Sequence, residues 1–279
     1  ARFKGKESAL VFNSGYQANV GIISALCGRQ DCIFSDRLNH ASIIDGARLS
    51  GAKLFRFHHN DPSHLKELLR RERNKYRSAL VVTETVFSMD GDIAPLEEIV
   101  PAAKEHDSML MVDEAHATGI FGENGSGLVE QKALAGEIDI IMGTFSKALG
   151  SFGAYAACNS TVREYLINTC RSFIYSTALP PAVMAANMAS LGLVRSEPRR
   201  REALLSNAAY LRSALDQLGY ETRGSSQIIP VMTGTNEKAL LLAEELKKKG
   251  YWVTPVRPPT VPNGEARLRL SITYDHGRE

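Results

Sequence analysis

Four short stretches join chemically capable residues to the point where an extended apolar run gives out. The first is Asn13-Ser14-Gly15-Tyr16, small and polar, between an apolar run and a helix-like one. A helix opening there would offer free N–H groups and the positive end of its dipole to a phosphate. A plain strand-to-helix turn has the same composition. The second is Asp113-Glu114-Ala115-His116, which closes the run SMLMVD. An acid at the end of an apolar strand loses hydration unless it meets a cation, and His116 can face the same ligand. One reading is an Asp that keeps a ring nitrogen protonated. Another is the magnesium-binding acidic box of a nucleotide-driven motor. A motor needs the phosphate loop GxxxxGK followed by Ser or Thr. The chain has no such match, and Gly143-Thr144-Phe145-Ser146-Lys147 has the wrong spacing.

The third stretch, Thr144-Phe145-Ser146-Lys147, ends the run IDIIMGT, 34 residues beyond Asp113. A lysine held in a cleft can form a Schiff base when its pKa is lowered. The apolar neighbours Phe145, Ala148 and Leu149, flanked by Gly143 and Gly150, predict a buried amine rather than a solvated one. The fourth is Arg267-Leu268-Arg269-Leu270. Period two puts both arginines on one face, where either could clamp a carboxylate or simply be solvated. His40, after Asn39 at a helix start, could stack on a flat ring. His58-His59-Asn60-Asp61 reads as a solvated turn rather than a metal cluster, because adjacent side chains diverge. His64, His106 and His276 show no partner pattern.

Residues at strand ends meet only if the strands finish on one side of a sheet. Strand-like runs at 9–12, 31–36, 53–57, 78–87, 108–113, 138–144 and 154–158 alternate with helix-like ones. The helix opened by Pro62 carries Leu65, Leu68 and Leu69 on one face, and the one opened by Pro95 carries Leu96, Ile99, Val100 and Ala103. This rhythm predicts an α/β fold, a mostly parallel sheet with helices on both faces. Ligands then sit beyond the carboxyl ends of the strands. After Pro180-Pro181 the pattern changes to long helices at 182–193 and 200–218, strands at 227–232, 252–256 and 267–272, and a helix at 236–249. A large domain over 1–178 and a smaller α+β domain over 179–279 follow.

Bulk properties narrow the class. With 33 Lys and Arg against 31 Asp and Glu, the net charge of +2 gives no electrostatic case for nucleic acid or an anionic membrane. No apolar run approaches the roughly 18 residues that cross a bilayer. The four cysteines, Cys27, Cys32, Cys158 and Cys170, have no metal spacing and read as reduced thiols of a cytoplasmic protein. The chain begins Ala1-Arg2-Phe3 and stops just after a strand-like run, so both ends are expected to be cut from a longer one.

The stretches FNSGYQANVG, DRLNHASIIDGARLSG, VVTETVFSMDGDIAPL, LMVDEAHATGIFGENGSG, GTFSKALG and IYSTALPP together resemble the α-oxoamine synthases, pyridoxal-phosphate enzymes of the aspartate-aminotransferase fold, fold type I. The closing VRPPTVPNGEARLRLSIT resembles the biotin-pathway member of that family; relatives making aminolevulinate, 2-amino-3-oxobutanoate or ketosphinganine usually lack RPPTVP. The resemblance implies that Lys147 holds pyridoxal 5'-phosphate covalently and later moves the substrate proton. Asp113 would pair with the pyridine nitrogen, and His116 and Ser88 would contact the ring hydroxyl. His40 would stack over the ring. Gly15 and Tyr16, with Thr144, would bind the phosphate. Thr177 would reach the phosphate of a neighbouring subunit, which implies a homodimer. Arg269 would hold the amino-acid carboxylate, with Thr260 near the substrate. The implied reaction is a decarboxylative condensation of L-alanine with pimeloyl-CoA or a pimeloyl carrier protein. Glycine C-acetyl transfer, or an inactive binding module of the same fold, are the alternatives.

Overall fold

In a computed structural model, residues 1–277 are described; 278 and 279, the last two of the expected 179–279 domain, lie outside the described residues. The chain forms two compact units, Ala1–Thr85 with Ala94–Pro198, and Val86–Ile93 with Arg199–Glu279.

The first unit is built on seven strands: β1 Ser8–Phe12, β2 Cys32–Asp36, β3 Lys53–Phe57, β4 Ala79–Glu84, β5 Met109–Asp113, β6 Ile140–Thr144 and β7 Ala154–Cys158. Their order is β1-β7-β6-β5-β4-β2-β3. The pairs from β6 to β3 are parallel, and β7 alone runs against its neighbours. The mostly parallel sheet therefore matches expectation. Both β2 and β4 are buried at every position, as strands covered on two faces must be. The helices pack in two groups, Gly15–Leu26 with Ala41–Ser50, and Pro62–Glu72 with Leu96–Glu105. Leu65, Leu68 and Leu69 are buried as their spacing requires, and Asp61 caps that helix by accepting the His64 N–H at 2.9 Å.

The strand expected over 78–87 stops at Glu84. Thr85 N still donates to Asp113 O at 2.9 Å, but beyond it the chain leaves the sheet. Val86 and Ile93 pair in an isolated antiparallel bridge, and Phe87 N donates to Asp92 O at 3.0 Å. This eight-residue excursion belongs to the second unit. The other boundary moves as well: the helix Pro181–Ser196 stays with the first unit, so the division falls after Pro198 rather than at 178/179.

The second unit has a three-stranded antiparallel sheet, β8 Ile228–Gly234, β9 Thr254–Val256 and β10 Ala266–Ser271, in the order β8-β10-β9. The excursion packs on it closely. A Cβ on Gly91 would lie 2.2 Å from Ile228 O, and one on Gly224 would lie 2.2 Å from Asp90 O, so neither position admits a side chain. Arg267 is fully buried, donating to Asp90 Oδ1 at 2.5 Å and to Glu265 Oε2 at 2.9 Å.

Candidate active site

The carboxyl ends of β4, β5 and β6 bring Glu84, Asp113 and Thr144 side by side. Glu84 and Asp113 are register partners, and Asp113 is in turn the partner of Met142, two residues before Thr144. Paired residues of adjacent parallel strands project from the same face about 4.8 Å apart. A pocket opens above them, lined also by Gly15, Tyr16, Asn19, His40 and Lys147. A larger cleft lies near Arg77 and Ser78 at the amino ends of β4 and β5, the wrong end of the strands for a ligand of such a sheet.

Each wall of the pocket has a local cause. Gly15 and Tyr16 open the helix Gly15–Leu26, whose cap is Ser14, accepting from Gln17 N at 3.1 Å. Their amides stand at the open end of the helix, where no intrahelical acceptor exists. A Cβ on Gly15 would come 2.8 Å from Thr144 Cγ2, so only glycine lets the helix start approach β6 this closely. Thr144 Oγ1 is buried without a hydrogen-bond partner.

Asp113 is buried and bonded on both oxygens: Oδ1 accepts Ala115 N at 2.8 Å and Oδ2 accepts Asn19 Nδ2 at 2.8 Å. Two N–H donors fix both carboxylate oxygens in place. Asn19 Nδ2 also lies 3.0 Å from Ser42 Oγ, which is 2.8 Å from His40 Nδ1. Nδ1 accepts the Ser42 N–H at 3.2 Å, which leaves the proton of the neutral ring on Nε2. Burial lowers the His40 pKa and so does Lys147, while Asp113 opposes them. A neutral imidazole therefore faces the pocket. Glu84 Oε1 accepts the His40 backbone N–H at 2.6 Å; burial first, then the neighbouring Asp113, raise the Glu84 carboxyl well above its ordinary range.

Beneath the pocket Glu114 points the other way. Its Oε2 accepts from Lys4 Nζ at 2.7 Å and its Oε1 from Val129 N at 2.9 Å, and Lys4 also reaches Thr118 Oγ1 and Ser126 O. This fully buried ion pair anchors the turn that carries Asp113.

Of the residues singled out in the sequence, Gly15, Tyr16, His40, Asp113, Thr144 and Lys147 line one pocket. Lys147 corrects one expectation: its side chain is exposed, not buried, because Ser146, Lys147 and Ala148 form the outer side of the turn after β6 while only Phe145 and Leu149 turn inward. His116 is half-buried and is not among the lining residues. Thr177 is exposed, its carbonyl accepting Asn13 Nδ2 at 2.8 Å. Ser88, Thr260 and Arg269 belong to the second unit. There Arg269 Nε donates to Ser88 O at 2.6 Å and its Nη1 to Ser271 Oγ at 2.7 Å, and burial lowers the Arg269 pKa. Thr260 is exposed, its N–H on Arg257 O at 3.0 Å.

Asn19, Ser42 and Glu84 escaped the sequence reading. Glu84 carries the signal that marked Asp113, an acid inside an apolar run, but Thr85, Val86 and Phe87 prolong that run and hide the strand end. The structure also joins His64, which showed no partner pattern, to His58 and Asp61. His64 Nδ1 already accepts the His58 N–H at 2.9 Å, so the lone pair a metal would need is in use. Burial pushes the Cys27 thiol up to about 12 and those of Cys32 and Cys158 to about 11, so none is a nucleophile.

The family model for class I and II aminotransferases matches residues 1–277. The 8-amino-7-oxononanoate synthase of Trichlorobacter lovleyi is 53% identical over 277 residues, which cover 98% of this chain and 71% of that protein. A variant of serine palmitoyltransferase from S. paucimobilis with bound PLP–myriocin aldimine superposes with a TM-score of 0.95 at 39% identity, over 99% of this chain and 70% of that one. The 8-amino-7-oxononanoate synthase of Francisella tularensis gives a TM-score of 0.88 at 32% identity, over 99% and 80% of the two chains.

Proposed function

Because the chain belongs to the class I and II aminotransferase family, we propose that it is a pyridoxal-phosphate acyltransferase performing the 8-amino-7-oxononanoate synthase reaction of biotin biosynthesis. L-Alanine condenses with a pimeloyl thioester, of coenzyme A or a carrier protein, with loss of the thiol and carbon dioxide. The observation that carries the reading is the convergence of Lys147, Asp113, His40 and an unpartnered Thr144 hydroxyl on one pocket.

The residues present fit the cofactor. The open helix end at Gly15 and Tyr16, with the spare Thr144 Oγ1, forms a donor set for a phosphate. Asp113, with both oxygens fixed, suits a protonated ring nitrogen. When bound, the pyridinium ring supplies an electron sink for a carbanion at the substrate α-carbon. Lys147 Nζ would hold the cofactor through its aldehyde and would take the α-proton of alanine. Neutral His40 presents a flat face to the ring without adding charge, and His116 and Ser88 are assigned the ring hydroxyl. Arg269 is assigned the alanine carboxylate: its side chain is half-buried and bonded on Nε and Nη1, so an anion on Nη2 would offset its partial burial. Arg267 is committed to Asp90 and Glu265. Thr260 is assigned a position near the substrate. Thr177 is assigned to a second subunit's phosphate in a cytoplasmic homodimer.

The test is thiol release measured with alanine, glycine and serine against pimeloyl, acetyl, succinyl and palmitoyl thioesters. Alanine with the pimeloyl thioester is expected to give the largest kcat/KM. A larger value for glycine with acetyl-CoA would move the protein to the glycine C-acetyltransferase reaction, and one for serine with palmitoyl-CoA to that of the serine palmitoyltransferases it is similar to.

A further inference from the structure

The pocket holds a second carboxyl to which the reading above gives no task. We propose that Glu84 and Asp113 carry one negative charge between them, that Asp113 holds it, and that Glu84 keeps the proton as a neutral acid that positions His40. The argument starts from register. The two residues are partners at the carboxyl ends of β4 and β5, on the same face of the sheet. Both are buried, at 3% and 4% exposure, so ionising both would set two charges close together out of water. The donors choose which one ionises. Asp113 receives two N–H bonds, from Ala115 N and Asn19 Nδ2, whereas the bond found for Glu84 among the described residues is the one from His40 N.

The other charges that act on Glu84 do not change the assignment. Lys147 favours its ionisation, but that side chain is exposed; Asp36, at the end of β2, opposes it, and His40 is neutral. The bond from His40 N to Glu84 Oε1 fixes the residue from which the helix Ala41–Ser50 starts, so Glu84 sets where the imidazole stands. A single carboxylate charge matches a ring with a single protonated nitrogen. The location of the proton is independent of the proposed function; its value to the site rests on that reading.

The two are tested apart. Infrared spectroscopy of the cofactor-free protein at neutral pH should show a protonated carboxylic acid band that Glu84→Gln removes. Absence of the band, or its survival in that variant, overturns the proposal. Pyridoxal phosphate affinity is then measured on the parent, Glu84→Gln and Glu84→Ala. Alanine loses the hydrogen bond and should weaken binding about tenfold, while glutamine, a neutral isostere, should restore it to within about threefold. Glutamine behaving like alanine would mean that the site uses an ionised Glu84, and the proposal falls. A parent that binds no pyridoxal phosphate would sink the cofactor reading while leaving the infrared result standing.

Discussion

At the scale of single residues, the site separates groups that do chemistry from groups that hold them. Lys147→Ala should abolish turnover and leave no cofactor fixed to the chain by borohydride; peptide mapping that finds it on another lysine would reject the assignment. Asp113→Asn keeps the shape but removes the charge proposed to face the ring nitrogen, and leaves one acceptor oxygen for the Asn19 and Ala115 donors. Covalent cofactor should persist while deuterium exchange at the alanine α-carbon falls by about a hundredfold or more. Arg269→Ala should raise the alanine concentration needed for half-saturation at least about tenfold, since losing a charge-assisted pair costs on the order of 2–5 kcal/mol. Arg267→Ala should leave that concentration nearly unchanged and instead lower the melting temperature, because Asp90 and Glu265 lose their buried partner and keep only Arg223, at 3.8 and 3.1 Å. Equal alanine affinity in the two variants would shift the clamp elsewhere. Period two alone gave the two arginines equal standing; the resemblance singled out Arg269, and in the structure their partners differ. Asp113 and Lys147 were legible because a polar residue at the end of an apolar run has few other reasons to be there. Asn19 was not: an amide inside a helix looks like any other helix residue until the partners of its two N–H bonds are known.

At the scale of elements, a few buried contacts fix where the strands end. The Lys4–Glu114 pair is inaccessible on both sides, with side-chain exposures of 2% and 0%. Removing one member leaves an unpaired charge in the interior, so Lys4→Ala should cost about 3–5 kcal/mol in denaturant unfolding. Replacing both by apolar residues should recover most of that loss; a double variant no more stable than the single one would show that the pair is not the cause. The alternation of strands and helices in the first unit was readable because parallel strands covered on both faces are unbroken apolar words. The excursion Val86–Ile93 was not, since its apolar start continues β4 in composition and only the Thr85 and Phe87 hydrogen bonds reveal the departure.

At the scale of the whole molecule, two shifted titrations in the pocket shape the response to pH. His40 has a folded pKa below its unfolded value, so the unfolded chain binds more protons in acid. Its contribution is present above the ordinary imidazole pKa of 6.5 and is lost as pH falls through the lowered folded value. Glu84 has the opposite sign. Its contribution is complete below the ordinary 4.5 and is lost as pH rises through its elevated folded value. Urea unfolding across pH should therefore show a decline as pH rises above 4.5 that Glu84→Gln flattens; an unchanged slope in that variant would assign the decline to another group. The split into two units was only half readable. The change of rhythm after Pro180 announced a second unit, but eight of its residues come from the middle of the first, and composition carries no trace of that debt.

The discontinuity also sets an order in time. Arg267 and its partner Asp90 are 177 residues apart. On a ribosome adding roughly 5–20 residues per second, Asp90 emerges about 9 to 35 seconds before its buried partner Arg267. In that interval the nascent chain can complete the strands through β7, while the loop between β4 and the next helix has no sheet to settle on. The three-stranded sheet is thus the last part of the protein to close, and a chain released early, anywhere before Arg267, would leave the ribosome with Asp90 lacking its buried partner.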